Sequence, residues 1–113
     1  ILLCMLAYYV EWHMREAWRE LMFADTDQAA KAVRDPVASA QRSEAALAKL
    51  ASRKIDDGTP AHSFSTLMAE LGSLVRNTCR TPGAGATAPT FDIVTTPNAT
   101  QRHALDLIKQ IRP

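Results

Sequence analysis

Residues 1–10 read Ile1-Leu2-Leu3-Cys4-Met5-Leu6-Ala7-Tyr8-Tyr9-Val10, a run without a charged side chain. A helix that is apolar on every side is typical of one that other elements bury all round. No Ser, Thr, Asp or Asn that could cap a helix comes before the run. The sequence therefore predicts that the run is the middle of a longer buried helix. We expect the chain to be the C-terminal piece of a larger protein.

The helical pattern continues beyond the run to about Phe23. Glu11 and Arg15 form an i,i+4 pair in the favourable order. On the opposite face, apolar residues recur at the four-then-three spacing of a buried stripe; they are Val10, Met14, Ala17/Trp18 and Leu21/Met22. The pattern predicts one buried helix as the first unit of the chain, residues 1–24.

Residues 25–60 form a variable region rich in alanine. A short helix is predicted over residues 28–33, after Asp25-Thr26-Asp27 and before Pro36, which excludes helical geometry from the residue before it. Ser43 or Ser39 can cap a second helix with a thin apolar face, formed by Ala46, Leu47, Leu50, Ala51 and Ile55. Residues 56–60 are a turn cluster. Because alanines bury little surface, we expect this region near the surface and loosely held.

Residues 61–113 contain the clearest pattern of helices and strands. Ser63 can cap a helix with an apolar face of period 3.6, formed by Phe64, Leu67, Met68, Leu71 and Leu74/Val75. Two β-prone segments, residues 75–80 and 90–95, flank a Gly/Pro-rich loop and predict a hairpin. A last helix begins at Pro97-Asn98 and should pack on the helix after Ser63 through Ala104, Leu105, Ile108 and Ile111. The predicted fold is α+β, mainly α-helical, in a single partial domain.

Charge and cysteine content restrict the class of protein. The chain carries 13 basic and 12 acidic residues, a net charge of +1, without the clustered Lys/Arg of a phosphate-tracking surface. Cys4 and Cys79 lack metal-ligand spacing and are interpreted as free thiols of a cytoplasmic protein.

The first apolar run, residues 1–10, is shorter than the ~20 apolar residues that span a bilayer. It also lacks the basic region and cleavage site of a signal peptide.

The chemistry of the residues shows no active site. His13, His62 and His103 are far apart in sequence and have no local partner. The pairs Asp25/Asp27 and Asp56/Asp57 fit cap and turn chemistry without a metal. No phosphate-cradling glycine motif, nucleophile elbow or zinc motif is present.

Arg76 and Arg80 are the only residues that we single out as candidate DNA-phosphate contacts. They lie close to the predicted junction between helix and strand. A solvated strand edge explains them more simply.

Three stretches of the chain, in order, resemble a known family. They are residues 1–15, residues 62–71 leading to 75–77, and residues 96–108. The first resembles the helix close to the C-terminal end of bacterial insertion-sequence transposases of the DDE type, whose catalytic core is an RNase H-like fold with inserted β elements. These are packing motifs rather than catalytic ones, and they gain specificity as an ordered set.

The resemblance implies a parent enzyme that nicks and joins transposon-end DNA with two divalent cations, and magnesium is the cation that the family leads us to expect. Its third catalytic acid is the Glu of a Tyr-x2-Arg-x3-Glu-x6-Lys signature. Neither tyrosine here begins that signature, because Glu11 lies three residues after Tyr8 and Trp12 three residues after Tyr9. We therefore assign no catalytic and no metal-binding residue to this chain, and no cofactor of its own. Its expected partners are the rest of the catalytic core, DNA through the parent, and other copies through the first helix.

A second hypothesis belongs to a different class of protein. The chain could be a small helical interaction module that buries its apolar start against a partner or a second copy. A third, an independent DNA-binding domain, is disfavoured by the near-neutral charge and by the lack of a convincing helix-turn-helix.

Overall fold

The computed structural model describes residues 1–27, 29–83, 85 and 87–112. The fold is α+β and mainly helical, as predicted from the sequence. In chain order the elements are α1 (Leu2–Ala17), a 3₁₀ turn (Arg19–Leu21), α2 (Ala29–Ala32), α3 (Glu44–Ser52), α4 (Phe64–Leu71), β1 (Arg76–Arg80), β2 (Thr90–Val94) and α5 (Ala99–Lys109). The two strands pair antiparallel, with Arg76 opposite Val94 and Arg80 opposite Thr90.

A small core joins the end of α1 to α4 and α5. Its buried members are Trp18, Leu21, Met22, Leu67 and Ala104. The predicted packing of the helix after Ser63 against the last helix is therefore confirmed, but Leu107 takes part in it, whereas the predicted Leu105 and Ile111 do not. Partly buried apolar residues pack around this core; they are Met14, Ala24, Ile55, Phe64, Leu71, Leu107 and Ile108.

The first helix is shorter than the sequence predicts. It ends at Ala17 rather than near Phe23. After the 3₁₀ turn, Met22 adopts an extended backbone and pairs in parallel with His62. The His62 N–H donates to the Leu21 carbonyl at 2.9 Å, and the Phe23 N–H donates to the His62 carbonyl at 3.2 Å. These long-range backbone bonds take the place of helical bonds at the Leu21 carbonyl and the Phe23 N–H.

Both α4 and α5 begin with a capping box, which satisfies backbone N–H groups that lack helical partners. Ser63 and Thr66 form the box of α4. Asn98 and Gln101 form the box of α5. The predicted starts of these two helices are confirmed.

Gln101 also links α5 to the end of α4. Its amide nitrogen donates to the Glu70 carbonyl at 2.7 Å and to Ser73 Oγ at 2.9 Å. The side chain is buried, as the single buried polar residue among those described. Helix α4 ends at Leu71, before the Val75 that the apolar pattern suggested, with Gly72 as its C-cap. The Ser73 hydroxyl also donates to the Glu70 carbonyl at this end, at 2.7 Å. Val75 instead extends the hairpin, where its carbonyl accepts from the Thr95 N–H.

Residues 25–60 contribute little to the core, as expected. The short helix spans Ala29–Ala32, whereas Gln28 at its predicted start lies outside the described residues. Ser43, not Ser39, caps α3, and its own N–H and hydroxyl donate to the Asp25 carboxylate at 3.0 and 2.9 Å. Of the predicted apolar face only Ala46 is buried, while Leu47 and Leu50 are about half exposed.

The chain is far more extended than a compact domain of its length. Its radius of gyration is 19.9 Å, whereas about 13 Å is expected for 113 compact residues. Its accessible surface is 8761 Å², against about 6,100 Å² for a globular monomer of this mass. A large surface is therefore uncovered.

We expect Gln101→Leu to lower the free energy of unfolding by about 1–3 kcal/mol, because it removes the α5 capping bond and the link to Glu70 while keeping the side-chain volume. Urea denaturation followed by far-UV circular dichroism measures the loss. Gln110→Leu, at an exposed position beyond the end of the same helix, is the control and should have little effect. Equal stability of the two variants would show that the Gln101 link is not stabilising.

Candidate functional site: an uncovered apolar helix

The most distinctive surface of the molecule is the first part of α1. No residue of this helix is buried. Ile1 is 100% exposed, and Leu2 and Leu3 are each 80% exposed. We define the α1 surface as residues 1–10 together with Trp12. Its remaining large apolar side chains are 48–72% exposed: Met5, Leu6, Tyr8, Tyr9, Val10 and Trp12. Nothing among the described residues covers this surface, so the predicted burial would require a partner.

The far end of α1 is anchored to the core. Trp18 is fully buried, and its indole N–H donates to the Ala104 carbonyl at 2.9 Å. The Arg15 guanidinium lies 4.4 Å from the centre of the Phe64 ring, within the range of a cation–π contact. Arg15 also pairs with Glu11 at 2.7 Å, as predicted. Helix α1 is therefore held to the core at its C-terminal end, while its N-terminal part, which carries the α1 surface, projects from the core.

Apart from the Cys4 thiol, the side chains of the α1 surface carry polar groups only at its aromatic residues. The rings of Tyr9 and Trp12 lie edge-on to the His13 ring, with centroids 4.4 and 4.9 Å apart. Tyr8 and Tyr9 each present a phenol, and Trp12 presents an indole N–H. Hydrogen-bond partners for these three groups are absent from the described part of the chain. A protein that buries these three groups must therefore supply the hydrogen-bonding groups for them.

A second uncovered apolar surface lies on the hairpin. Side chains alternate between the faces of a strand, so Val75, Phe91 and Ile93 share one face with Cys79. The first three are 45–54% exposed. The hairpin therefore also presents apolar groups to solvent.

Arg76 and Arg80 occupy the opposite face of the hairpin, about 13 Å apart along β1. Both are exposed. Thr78 lies between them and donates to the Asp92 carboxylate at 2.7 Å. Because this negative charge lies on the same face, it opposes phosphate binding there. Phosphate contact by these arginines stays a prediction.

Two of the acidic residues, Asp25 and Asp57, have structural roles; that of Asp57 is the predicted turn, whereas Asp25 bonds Ser43 rather than the start of the short helix. Asp25 accepts from Ser43, as described above. The pKa of Asp57 is lowered, chiefly because its carboxylate accepts hydrogen bonds from the hydroxyl and backbone N–H of Thr59 at 2.6 and 2.8 Å. These bonds form the turn predicted at residues 56–60. Across the described ranges, no group of three or more His, Cys, Asp or Glu residues is placed to hold a metal ion.

The three histidines lie against different partners. His13 contacts the aromatic rings of α1, and His62 lies 3.9 Å from the Glu70 carboxylate. His103 Nε2 lies 2.6 Å from Glu20 Oε1, in a pair that joins α5 to the 3₁₀ turn. Sequence reasoning missed this last pair and the link through Gln101, because partners 83 and 31 residues apart leave no local pattern.

Both cysteines are free thiols, with Cys4 exposed on α1 and Cys79 partly buried on β1. Of the described residues, none belongs to a helix long and apolar enough to cross a membrane.

The chain matches no protein-family model, and neither the curated proteins nor the solved structures contain a significant match to it.

Proposed function

We propose that the chain is the C-terminal part of a DDE-type insertion-sequence transposase, and that its α1 surface packs against the rest of the catalytic core. In this role the chain contributes structure to DNA transposition and no catalytic acid. The observation that carries the proposal is the α1 surface, an apolar helix that no described residue covers and that lies in one of the three stretches that resemble the family.

The uncovered area of the chain is large enough for an interface with another protein. The chain exposes about 2,600 Å² more than a globular monomer of its mass would. A standard interface buries about 800 Å² on each partner, and only obligate contacts are much larger and more apolar. This excess belongs to the whole chain and includes the exposed hairpin and residues 25–60; packing against a catalytic core would bury the part of it that lies on α1.

An interaction module without enzymatic activity is the second candidate function. The same α1 surface favours it, because an exposed apolar patch of this extent marks protein–protein contact in general. The upstream DNA distinguishes the two candidates. An in-frame extension with the Tyr-x2-Arg-x3-Glu-x6-Lys signature would support the transposase, whereas a start codon with a ribosome-binding site directly before Ile1 would support the module.

We expect the purified chain to show no DNA nicking or strand transfer with Mg²⁺ or Mn²⁺, because two-metal chemistry requires converging carboxylates. Relaxation of supercoiled plasmid, compared with the same reaction in EDTA, measures the activity. Metal-dependent cleavage that is lost in Asp25→Asn or Asp92→Asn would contradict the proposal.

A further inference from the structure

The turn at residues 56–60 contains the one Asp-Gly pair of the chain, Asp57-Gly58. The carboxyl carbon of an aspartate is open to attack by the backbone nitrogen of the next residue. Glycine hinders this attack least, because it has no Cβ beside that nitrogen. No other aspartate or asparagine of the chain is followed by glycine. Asp57 is therefore the position at which this chemistry is least hindered.

The reaction is an isomerisation that consumes nothing. The Gly58 nitrogen bonds to the side-chain carboxyl carbon of Asp57, the C–OH bond of the neutral acid breaks, and water leaves with the amide hydrogen. Water then reopens the cyclic imide at either of its two carbonyls. Opening at the side-chain carbonyl restores aspartate. Opening at the main-chain carbonyl gives isoaspartate, in which the backbone runs through the side-chain carbon.

In the folded chain both reacting groups are held in other bonds. Asp57 Oδ1 accepts from the hydroxyl of Thr59 at 2.6 Å and from its backbone N–H at 2.8 Å. The Gly58 N–H donates to the Ile55 carbonyl at 2.9 Å. The bonds from Thr59 favour the carboxylate and lower the pKa of Asp57. They therefore reduce the fraction of the neutral acid from which water can leave.

The turn is accessible from solvent, and its integrity matters for the fold. Asp57 and Gly58 are exposed, and Thr59 is partly buried. The Ile55 N–H donates to the Thr59 carbonyl at 2.9 Å, and Ile55 packs against the core. Isoaspartate would lengthen the main chain inside this closed turn, so it would displace the bonds that hold Ile55 in place.

We propose that Asp57-Gly58 is the site of spontaneous isoaspartate formation in this chain, and that the Thr59 hydroxyl slows the reaction in the folded protein. The carboxylate that the reaction creates is the class of substrate that a protein isoaspartyl methyltransferase accepts, with S-adenosylmethionine as the methyl donor. This chemistry is independent of a role in transposition, because it involves the turn alone.

Incubation of the full 113-residue chain at mildly acidic pH tests the proposal. Isoaspartyl methyltransferase with radiolabelled S-adenosylmethionine measures the product, and peptide mapping locates it. The wild-type chain should gain label at residue 57 severalfold faster in urea than in the folded state. Asp57→Glu should abolish this label, because the longer side chain forms the imide far more slowly.

The hydroxyl is tested by two variants that remove it, Thr59→Val and Thr59→Ala. Each should accelerate labelling of the folded chain severalfold, and far-UV circular dichroism identifies the variants that are folded. Thr59→Ser keeps the hydroxyl, so it is the matched control and should label as slowly as the wild type.

Three outcomes would overturn the proposal. Label that appears first at another aspartate or asparagine would refute the site. Equal rates for the wild-type chain in urea and in the folded state would refute protection by the turn. A folded variant without the hydroxyl that gains label no faster than Thr59→Ser would refute the role of Thr59.

Discussion

Trp18→Ala is expected to unfold most of the molecule under conditions where the wild type is folded. The side chain is fully buried, and its removal from a core costs about 3–5 kcal/mol. The Ala104 carbonyl would also lose its indole donor. Because a native domain is stable by only about 5–15 kcal/mol, and a small core lies at the low end, this loss removes most of the stability.

Urea denaturation followed by far-UV circular dichroism, at concentrations where the chain is monomeric, measures this effect. Trp12→Ala is the matched control, because the same side chain is 48% exposed on α1 and should cost less than about 1 kcal/mol. Equal losses in the two variants would mean that Trp18 does not hold α1 to the rest of the chain.

Leu67→Ala is expected to lower the free energy of unfolding by about 2–5 kcal/mol, because the side chain is fully buried between α1 and α5 and its removal leaves a cavity. Leu67 is 0% exposed, whereas Leu47 on α3 is 51% exposed. Leu47→Ala should therefore change stability by less than about 1 kcal/mol.

The comparison of the two leucines tests where the stability of the chain lies. A large loss in Leu47→Ala would show that residues 25–60 pack more firmly than the structure indicates. Similar small losses in both variants would contradict the core formed by α4, α5 and the end of α1.

Local sequence signals were sufficient to predict where α4 and α5 begin and where the hairpin lies. Ser63 and Asn98 each place a side-chain acceptor three residues before an N–H that lacks a helical partner, and this requirement can be recognised without tertiary structure. The β-prone segments around the loop at residues 81–89 pair as the pattern predicts, with Ala84 and Ala86 outside the described residues. Caps and turns act over a few residues, so the sequence is sufficient to locate them.

The tertiary structure decided where α1 ends, and it contributes to the end of α4. Helical periodicity continued to Phe23 and Val75, but the backbone of Met22 pairs with His62. At the end of α4, the Glu70 carbonyl accepts from Gln101, and also from nearby Ser73 just after Gly72. Hydrogen-bond partners so distant in sequence compete with helical hydrogen bonds. That competition cannot be recognised from the local sequence pattern.

The sequence also determined that residues 1–10 form an apolar helix, because every side chain in the run is compatible with one. Whether that helix is covered is decided by packing. In the described chain Met14 and Trp18 contact the core, while Leu2 and Leu3 extend beyond its reach. Hydrophobicity creates the requirement for burial, but only the positions of α4 and α5 decide how much of α1 this chain can bury by itself.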